Sequence, residues 1–233
     1  MRLIELVAVY KIYNEGFENE VRALNGVSLS IDRGEFVSII GASGSGKSTM
    51  MNILGCLDIP TYGEYFLNGQ DVSELSDARL SKIRNQEVGF IFQGFNLIEA
   101  LNAKENVELP LIYQGVHGEK RVDMAEEALL KVGLEDRMYH KPSEMSGGQQ
   151  QRVAIARAIS TKAPIIMADE PTGALDTKTG EHVLEILHAL HREGTTIILI
   201  THNNELAQTA DRVIRLSDGL IIEDTVLRKG ATL

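Results

Sequence analysis

A glycine-rich loop that ends in a lysine and a serine carries the clearest chemical signal in this sequence. The segment 41–48 reads GASGSGKS and matches the pattern G-x-x-x-x-G-K-[ST]. Small residues let successive backbone N–H groups wrap a β-phosphate, while Lys47 supplies a charge to the β- and γ-phosphates and Ser48 can place its hydroxyl on Mg²⁺. The residues expected to hold the phosphates are Gly41, Ala42, Ser43, Gly44, Ser45, Gly46, Lys47, Ser48 and Thr49.

Two acidic residues follow an apolar run further along the chain. The run 165–168 reads IIMA and is followed directly by Asp169 and Glu170. A strand that ends in two acids offers what metal binding and water activation require, so we expect Asp169 to hold the metal through its water shell and Glu170 to polarise the attacking water. Two acids at the end of a core strand can also be purely structural. The phosphate loop upstream favours the chemical interpretation.

A Ser-Gly-Gly turn precedes a predicted helix and forms a third motif. Residues 145–149 read MSGGQ, and QQRVAIARAIS follows. Because a helix N-terminus presents free N–H groups and a positive dipole end, the turn predicts another anion site. An ordinary helix start is the alternative, since one chain has little use for a second anion site when its own loop already holds a nucleotide.

Alternating strands and helices surround these motifs and predict an α/β fold. A mostly parallel sheet with helices on both faces should form the core, with an antiparallel β layer from the first part of the chain and a helical region at 96–160. The predicted strands are 3–9, 27–31, 36–40, 64–69, 88–92, 165–168, 195–200, 212–216 and 220–223. The predicted helices are 47–55, 121–132, 148–160, 180–192 and 205–210.

Composition limits the classes of function. The 233 residues are 43% hydrophobic and 24% charged, which is typical of a globular protein with a sizeable core, and the net charge of −10 argues against a nucleic-acid partner. The single cysteine, Cys56, excludes internal disulfides and is expected to be a buried apolar residue. No apolar run approaches a membrane span, and the N-terminus does not resemble a secretory signal, so we expect a cytoplasmic chain.

Taken together, the three motifs resemble those of the ATP-binding subunits of ATP-binding cassette (ABC) transporters. The resemblance runs from about residue 1 to residue 223, and MSGGQ is similar to the LSGGQ signature of that family, with Met145 in place of Leu. The resemblance implies an ABC-type ATPase that uses ATP and Mg²⁺. It also implies a P-loop NTPase (RecA-like) fold in a single nucleotide-binding domain, 1–233, with a core and β subdomain over 1–93 and 161–233 and a helical subdomain over about 94–160.

The resemblance also implies roles for residues that carry no signal alone. Tyr13 is similar to the aromatic residue that stacks on adenine, and Gln93 to the glutamine that touches Mg²⁺ and the attacking water. His202 is similar to the histidine that contacts the γ-phosphate, and Asp176 to a residue of the loop that crosses the dimer interface. Gly173 stands where that loop usually has Ser, which leaves one interface hydrogen bond in question.

Members of this family form head-to-tail dimers that enclose two ATP molecules. The resemblance therefore implies a homodimer in which the phosphate loop and acids of one chain meet the signature of the other, which explains two anion sites in one chain. The signature residues expected to contact nucleotide are Ser146, Gly147, Gly148 and Gln149, and the expected catalytic residues are Lys47, Gln93, Glu170 and His202.

Two softer segments, GCLDIPTYGE and NAKENVELPLIY, resemble the branch with lipoprotein-release, macrolide-export and antimicrobial-peptide-resistance cassettes. The macrolide exporter of that branch fuses its membrane domain to the cassette, and this sequence ends too soon for that. We therefore expect a separate membrane permease that holds the chain at the inner face of the cell membrane. Cassettes of DNA repair carry coiled coils or zinc modules between the phosphate loop and the signature, and this sequence has neither. A cassette that drives a divisome or signalling complex stays open as an alternative.

Overall fold

The structure is a computed structural model that describes residues 2–227. Ten strands and seven α-helices are assigned within those residues, with short 3-10 helices at Glu135–Arg137 and Pro142–Glu144. In chain order the elements are β1 (Arg2–Tyr13), β2 (Val21–Asp32), β3 (Phe36–Ile40), α1 (Lys47–Leu54), β4 (Tyr62–Leu67), β5 (Gln70–Asp71), α2 (Asp77–Glu87), β6 (Val88–Ile91), α3 (Ala103–Tyr113), α4 (Gly118–Lys131), α5 (Gly147–Ser160), β7 (Ile165–Asp169), α6 (Thr177–Arg192), β8 (Thr196–Thr201), α7 (Asn204–Ala207), β9 (Arg212–Ser217) and β10 (Leu220–Val226).

The chain divides into two units. The first contains Met1–Arg84 and Gly194–Leu233, and the second contains Asn85–Glu193. This division follows the density of contacts within each unit, whereas the predicted subdomains follow the strand and helix patterns of the sequence and the family resemblance. The predicted core and β subdomain at 1–93 and 161–233 and the predicted helical subdomain at 94–160 therefore stay predictions, and their outermost bounds lie outside the described residues.

An antiparallel sheet in the first unit contains the strands in the order β2, β1, β4, β5. Ile4 of β1 pairs with Ile31 on one side and with Leu67 on the other. These three side chains are almost fully buried. Apolar residues paired across three neighbouring strands therefore form part of the core on one face of this antiparallel sheet.

The first unit also holds the parallel strand β3, which lies between β8 and β9, while β10 pairs antiparallel to β9. Every residue of β3 and of β8 is buried, which explains why their sequences are mostly apolar. Ile40 at the end of β3 pairs with Thr201 at the end of β8. The polypeptide therefore leaves both strands at the same edge of the sheet. The phosphate loop begins there after β3, and His202 follows β8 there.

The second unit combines the parallel pair β6 and β7 with the helices α3, α4, α5 and α6. A Cβ atom at Gly89 of β6 would overlap the carbonyl of Ala158 in α5, so the absence of a side chain lets the helix lie against the strand. Ile91 and Ala168, near the ends of the two strands, are paired. The residues that follow them, Gln93 and Asp169, therefore lie toward the same edge of this strand pair.

The α/β fold class and the mixed parallel and antiparallel pairing predicted from the sequence are confirmed. Several details differ, of which three concern helices. Helix α2 was not predicted, because only Leu80 of its eleven residues is buried and no apolar stripe marks it. The helical region begins with α3 at Ala103 instead of residue 96, and α7 is shorter than the predicted 205–210. Cys56 is buried, as expected.

Candidate nucleotide site

The phosphate loop connects β3 to α1 in the order that the sequence predicts. Gly46, the last residue before the helix, has φ 102°, and a Cβ there would lie 2.5 Å from the carbonyl oxygen of Ala23. Both the left-handed backbone and the close approach require glycine. Ser45 is buried beneath the loop, whereas Ser48 is exposed at the first turn of the helix. The loop thus turns its backbone and the Ser48 hydroxyl outward.

The N-terminus of α1 has the features of an anion-binding helix start. The cap residue Gly46 offers no side chain to the first N–H groups, and the first turn has no acidic residue. The Lys47 ammonium donates hydrogen bonds to the carbonyls of Gly41 and Ala42, at 2.7 and 2.8 Å. These bonds keep the cation over the loop, where a phosphate group would lie.

His202 follows β8 directly and is exposed. The register of Ile40 with Thr201 places it at the edge of the sheet where Gly41 begins the phosphate loop. The Thr201 hydroxyl accepts a hydrogen bond of 3.0 Å from the Asn203 N–H, which fixes the chain on the other side of the histidine. The predicted contact of His202 with a terminal phosphate agrees with this position.

Tyr13 ends β1 and is half-buried. Its hydroxyl donates to a carboxylate oxygen of Asp58 at 3.3 Å. The ammonium of Lys11 lies 5.1 Å from the centre of the tyrosine ring. The sequence analysis missed a site role for Lys11 and Asp58, although Asp58 lies within the family-like segment GCLDIPTYGE.

The two predicted acids end β7 in the second unit. Asp169 is the last residue of the strand and Glu170 follows it, both half-buried. Glu170 has φ 45°, in the left-handed region that a residue other than glycine seldom adopts. Its carbonyl accepts a hydrogen bond of 3.0 Å from Gly173, which closes the turn. Backbone strain of this kind is concentrated at functional sites, which supports a chemical role for Glu170.

Gln93 and Gly173 lie against each other in the second unit. A Cβ atom at position 173 would lie 2.7 Å from the Gln93 side-chain nitrogen, so the glutamine occupies the space that a serine side chain would need. Glycine in place of serine at position 173 therefore does more than remove one hydroxyl from the predicted interface. It allows the predicted metal- and water-contacting glutamine to adopt this position.

Arg157 in α5 holds the turn that follows Gln93. Its guanidinium donates hydrogen bonds to the carbonyls of Phe95 at 2.9 Å and Asn96 at 2.6 Å. Phe95 and Asn96 both have positive φ, so the turn is strained. Burial lowers the pKa of the Arg157 guanidinium. The sequence analysis missed Arg157, whose partners lie 61 and 62 positions away along the chain.

The signature residues form the N-terminus of α5. Ser146 is the cap: its hydroxyl accepts from the Gln149 N–H at 3.3 Å, and the Gln149 side chain accepts from the Ser146 N–H at 2.9 Å. A cleft of about 260 Å³ adjoins this helix start, and Arg152 and Lys178 are among its lining residues. A helix N-terminus beside two cations is an environment that favours an anion.

Asp176 is the N-cap of α6. Its carboxylate accepts hydrogen bonds from the Thr179 hydroxyl at 2.6 Å and from the Thr179 N–H at 3.0 Å. These bonds, the hydroxyl bond most of all, lower the pKa of Asp176. The predicted role of this residue at a dimer interface therefore coexists with a capping role within the chain.

Comparison with known proteins identifies the family of the chain that contains this site. The family model described as ABC transporter matches residues 24–173. This chain belongs to the ABC transporter family. A solved structure described as a dimeric post-hydrolysis state of the ATP-binding cassette MJ0796 bound to ADP and Pi matches with a TM-score of 0.88 and 48% identity, covering 97% of this chain and 99% of that one. The chain is an ABC-type ATP-binding domain and an ATPase.

Two relatives differ from each other in length. The ABC transporter ATP-binding protein YknY of Bacillus subtilis is 54% identical over 94% of this chain and 95% of its own length. The macrolide export ATP-binding/permease protein MacB of Mannheimia succiniciproducens is 53% identical over 97% of this chain. The chain spans 35% of that relative's length. Within residues 2–227, no helix combines the length and apolar character needed to cross a membrane.

Proposed function

We propose that this ABC ATPase hydrolyses ATP as a head-to-tail homodimer and drives a separate membrane permease at the inner face of the cell membrane. The proposed cargo is a lipoprotein, peptide or antibiotic that is exported or extracted, and similarity to a macrolide export ATP-binding/permease protein supports export of an antibiotic. The dimeric description of a cassette with 48% identity supports the assembly.

In the proposed site, each predicted residue has its own role toward Mg·ATP. The loop 41–49 holds the phosphates, Tyr13 stacks on adenine and His202 contacts the γ-phosphate. Glu170 polarises the attacking water, and Gln93 contacts it. These roles fit the strained turn at Glu170 and the position of Gln93 beside the loop that follows it.

The proposed magnesium ligands are oxygen atoms of Ser48, Gln93 and Asp169, and oxygen is the donor that this hard cation prefers. Among residues 2–227, no cluster of three or more His, Cys, Asp and Glu side chains is suited to hold a metal. That suits Mg²⁺, which usually binds proteins through one or two carboxylates, water and substrate phosphates. The bound ion would neutralise charge on the phosphates.

The observation that most strongly supports the proposed homodimer is the helix N-terminus at Ser146. The chain has one complete phosphate loop, and it also has a capped helix N-terminus beside the cations Arg152 and Lys178. In a head-to-tail dimer this second anion site contacts the γ-phosphate held by the other chain. The capping bonds of Ser146 and Gln149 would then exchange for bonds to that phosphate.

Mixing two defective variants tests the composite site. Ser146→Arg fills the signature with a bulky cation, and Lys47→Ala removes the cation of the phosphate loop. Each should lack ATPase activity alone, whereas the mixed dimer contains one site with an intact loop and an intact signature. Restored ATP-dependent dimerisation or ATPase activity on mixing supports the proposal, and full activity of Ser146→Arg alone contradicts it.

A pull-down from detergent-solubilised membranes tests the permease partner. The ATP-bound chain serves as bait, and mass spectrometry identifies the membrane proteins that co-purify with it. A polytopic permease supports transport. A cell-division or signalling membrane protein would instead support a cassette that transmits force without moving cargo.

A further inference from the structure

Lys11, Tyr13 and Asp58 form a contact group in the first unit. Lys11 and Tyr13 are two positions apart near the end of β1. The Lys11 ammonium lies 5.1 Å from the ring centre of Tyr13, within the range of a cation–π interaction. Lys11 therefore lies against one face of the ring.

Asp58 fixes both other members of the group. One carboxylate oxygen accepts from the Lys11 ammonium at 2.6 Å, and the other accepts from the Tyr13 hydroxyl at 3.3 Å. The ammonium also donates to the carbonyl of Ile59 at 2.9 Å. The Lys11 side chain is only 13% exposed and that of Asp58 28%, so both charged groups are partly withdrawn from water.

The loop that carries Asp58 is itself attached to α1. The N–H groups of Leu57 and Asp58 donate to the Asn52 carbonyl, at 2.8 and 3.1 Å. The opposite end of α1 begins at Lys47 in the phosphate loop. One short helix thus connects the phosphate loop to the residues that hold Tyr13.

We propose that Lys11 and Asp58 are positioning residues that hold the Tyr13 ring against its one covered face, so that the purine base of the nucleotide stacks on the other. This rests on the proposed function, in which Tyr13 stacks on adenine. Neither residue needs to touch the nucleotide. Their contribution should therefore be found in affinity for the base and not in affinity for the phosphates.

Binding of ADP and of inorganic pyrophosphate to the full chain, measured by calorimetry, separates these contributions. Neither ligand has a γ-phosphate to hydrolyse, and only ADP carries the base. Lys11→Met keeps the length of the side chain and removes its charge, whereas Asp58→Ala removes the carboxylate. Each should raise the Kd of ADP about two- to fivefold, the range that a cation–π contact represents, and leave the Kd of pyrophosphate unchanged.

Matched variants sharpen this result. Lys131→Met removes a lysine from an exposed ion pair with Glu193 and should change neither Kd. Lys11→Arg keeps a cation that can lie over the ring and should retain most of the ADP affinity. In a Tyr13→Ala background, Lys11→Met should have no further effect, because the ring that it positions is absent.

Two results would overturn the proposal, and they differ in whether they also contradict the stacking role of Tyr13. If Tyr13→Ala weakens ADP selectively but Lys11→Met and Asp58→Ala do not, the positioning role is wrong while the stacking role of Tyr13 stands. If Tyr13→Ala changes the ADP and pyrophosphate affinities equally, stacking at Tyr13 is wrong and the positioning role falls with it. Should Lys11→Met fail to fold, the near-isosteric Asp58→Asn, with an intermediate loss of ADP affinity expected, decides the same question.

Discussion

At the scale of single residues, the backbone turn at Glu170 is the feature that bears most directly on the proposed chemistry. The residue follows a buried strand and has a left-handed φ of 45°. The turn is closed by a bond from Gly173, so the side chain is presented by a fixed backbone. A fixed carboxylate can orient and polarise a water molecule at little entropic cost.

Glu170→Gln should lower the ATPase rate by about 10²- to 10⁴-fold, because the amide keeps the shape but cannot act as a base. Binding of ATP should be retained, and the variant should accumulate as an ATP-bound dimer on size exclusion. Phosphate release measures the first effect. An ATPase rate above about a tenth of wild type would assign the base role to another residue.

Gly173→Ala tests the contact with Gln93. The new methyl group would lie 2.7 Å from the end of a flexible and exposed side chain, so the glutamine should move while the fold stays intact. We expect an unchanged melting temperature and a kcat lowered about tenfold to a hundredfold, as misplacement of a site group by about 1 Å can produce.

A double-mutant cycle provides the control for this prediction. Gln93→Ala removes the side chain that Gly173→Ala displaces, so the two changes together should cost no more than Gln93→Ala alone. Additive losses in kcat would show that position 173 acts independently of Gln93.

At the scale of elements, the link between α5 and the turn at Phe95 and Asn96 joins two predicted functional segments. The helix begins with the signature residue Ser146, and the turn follows Gln93. Arg157 bonds two consecutive carbonyls of the turn from the last part of the helix. The helix and the turn should therefore move together.

Arg157→Met should lower the free energy of unfolding by about 2–3 kcal/mol, because two carbonyls lose hydrogen bonds from a charged donor. Arg157→Lys should lose less, since an ammonium keeps the charge but not the planar fork. Urea unfolding measures both. The exposed Arg137 provides the control, and an Arg137→Met variant that is equally destabilised would refute a special role for Arg157.

The elements show where sequence was sufficient and where it was not. The mostly apolar sequences of β3 and β8 and the glycine pattern between β3 and α1 are local signals, so both the strands and the phosphate loop could be predicted. Helix α6 begins at Thr177, earlier than the predicted 180, because Asp176 caps it.

Contacts between distant residues could not be predicted in this way. The bond between Tyr13 and Asp58 joins positions 45 apart, and the bonds of Arg157 span 61 and 62 positions. No periodicity within a segment encodes such pairs. The close approach of Gln93 to Gly173 could not be predicted from the sequence either.

At the scale of the whole molecule, coupling to a permease requires an exposed surface on the cassette. The segment after Gln93 is apolar, and its members differ in exposure: Phe95 and Leu97 are half-buried, whereas Ile98 is 47% exposed. Phe95 also lies near Gly147 of the signature. A charge at Phe95 would disturb the cassette itself, so Ile98 is the better position for a test.

Ile98→Glu should leave the ATPase activity of the isolated chain largely unchanged and abolish co-purification of the permease, because a charge would be buried in an apolar contact. Co-purification from detergent-solubilised membranes and phosphate release provide the two measurements. Leu130→Glu, which alters another exposed apolar residue in the same unit, is the control. Normal permease recovery with Ile98→Glu would place the coupling surface elsewhere.

The attachment of the Asp58 loop to the end of α1 has a consequence for the energy state of the cell. ATP and ADP share the base and the first two phosphates. A contact group of Lys11, Tyr13 and Asp58 that is connected to the phosphate loop would therefore hold both nucleotides in the same way. Discrimination would then depend on contacts with the third phosphate alone, including that of His202. Contacts with the base would not make ADP dissociate faster than ATP. Occupancy of the site by each nucleotide would then follow the ratio of ATP to ADP in the surrounding solution.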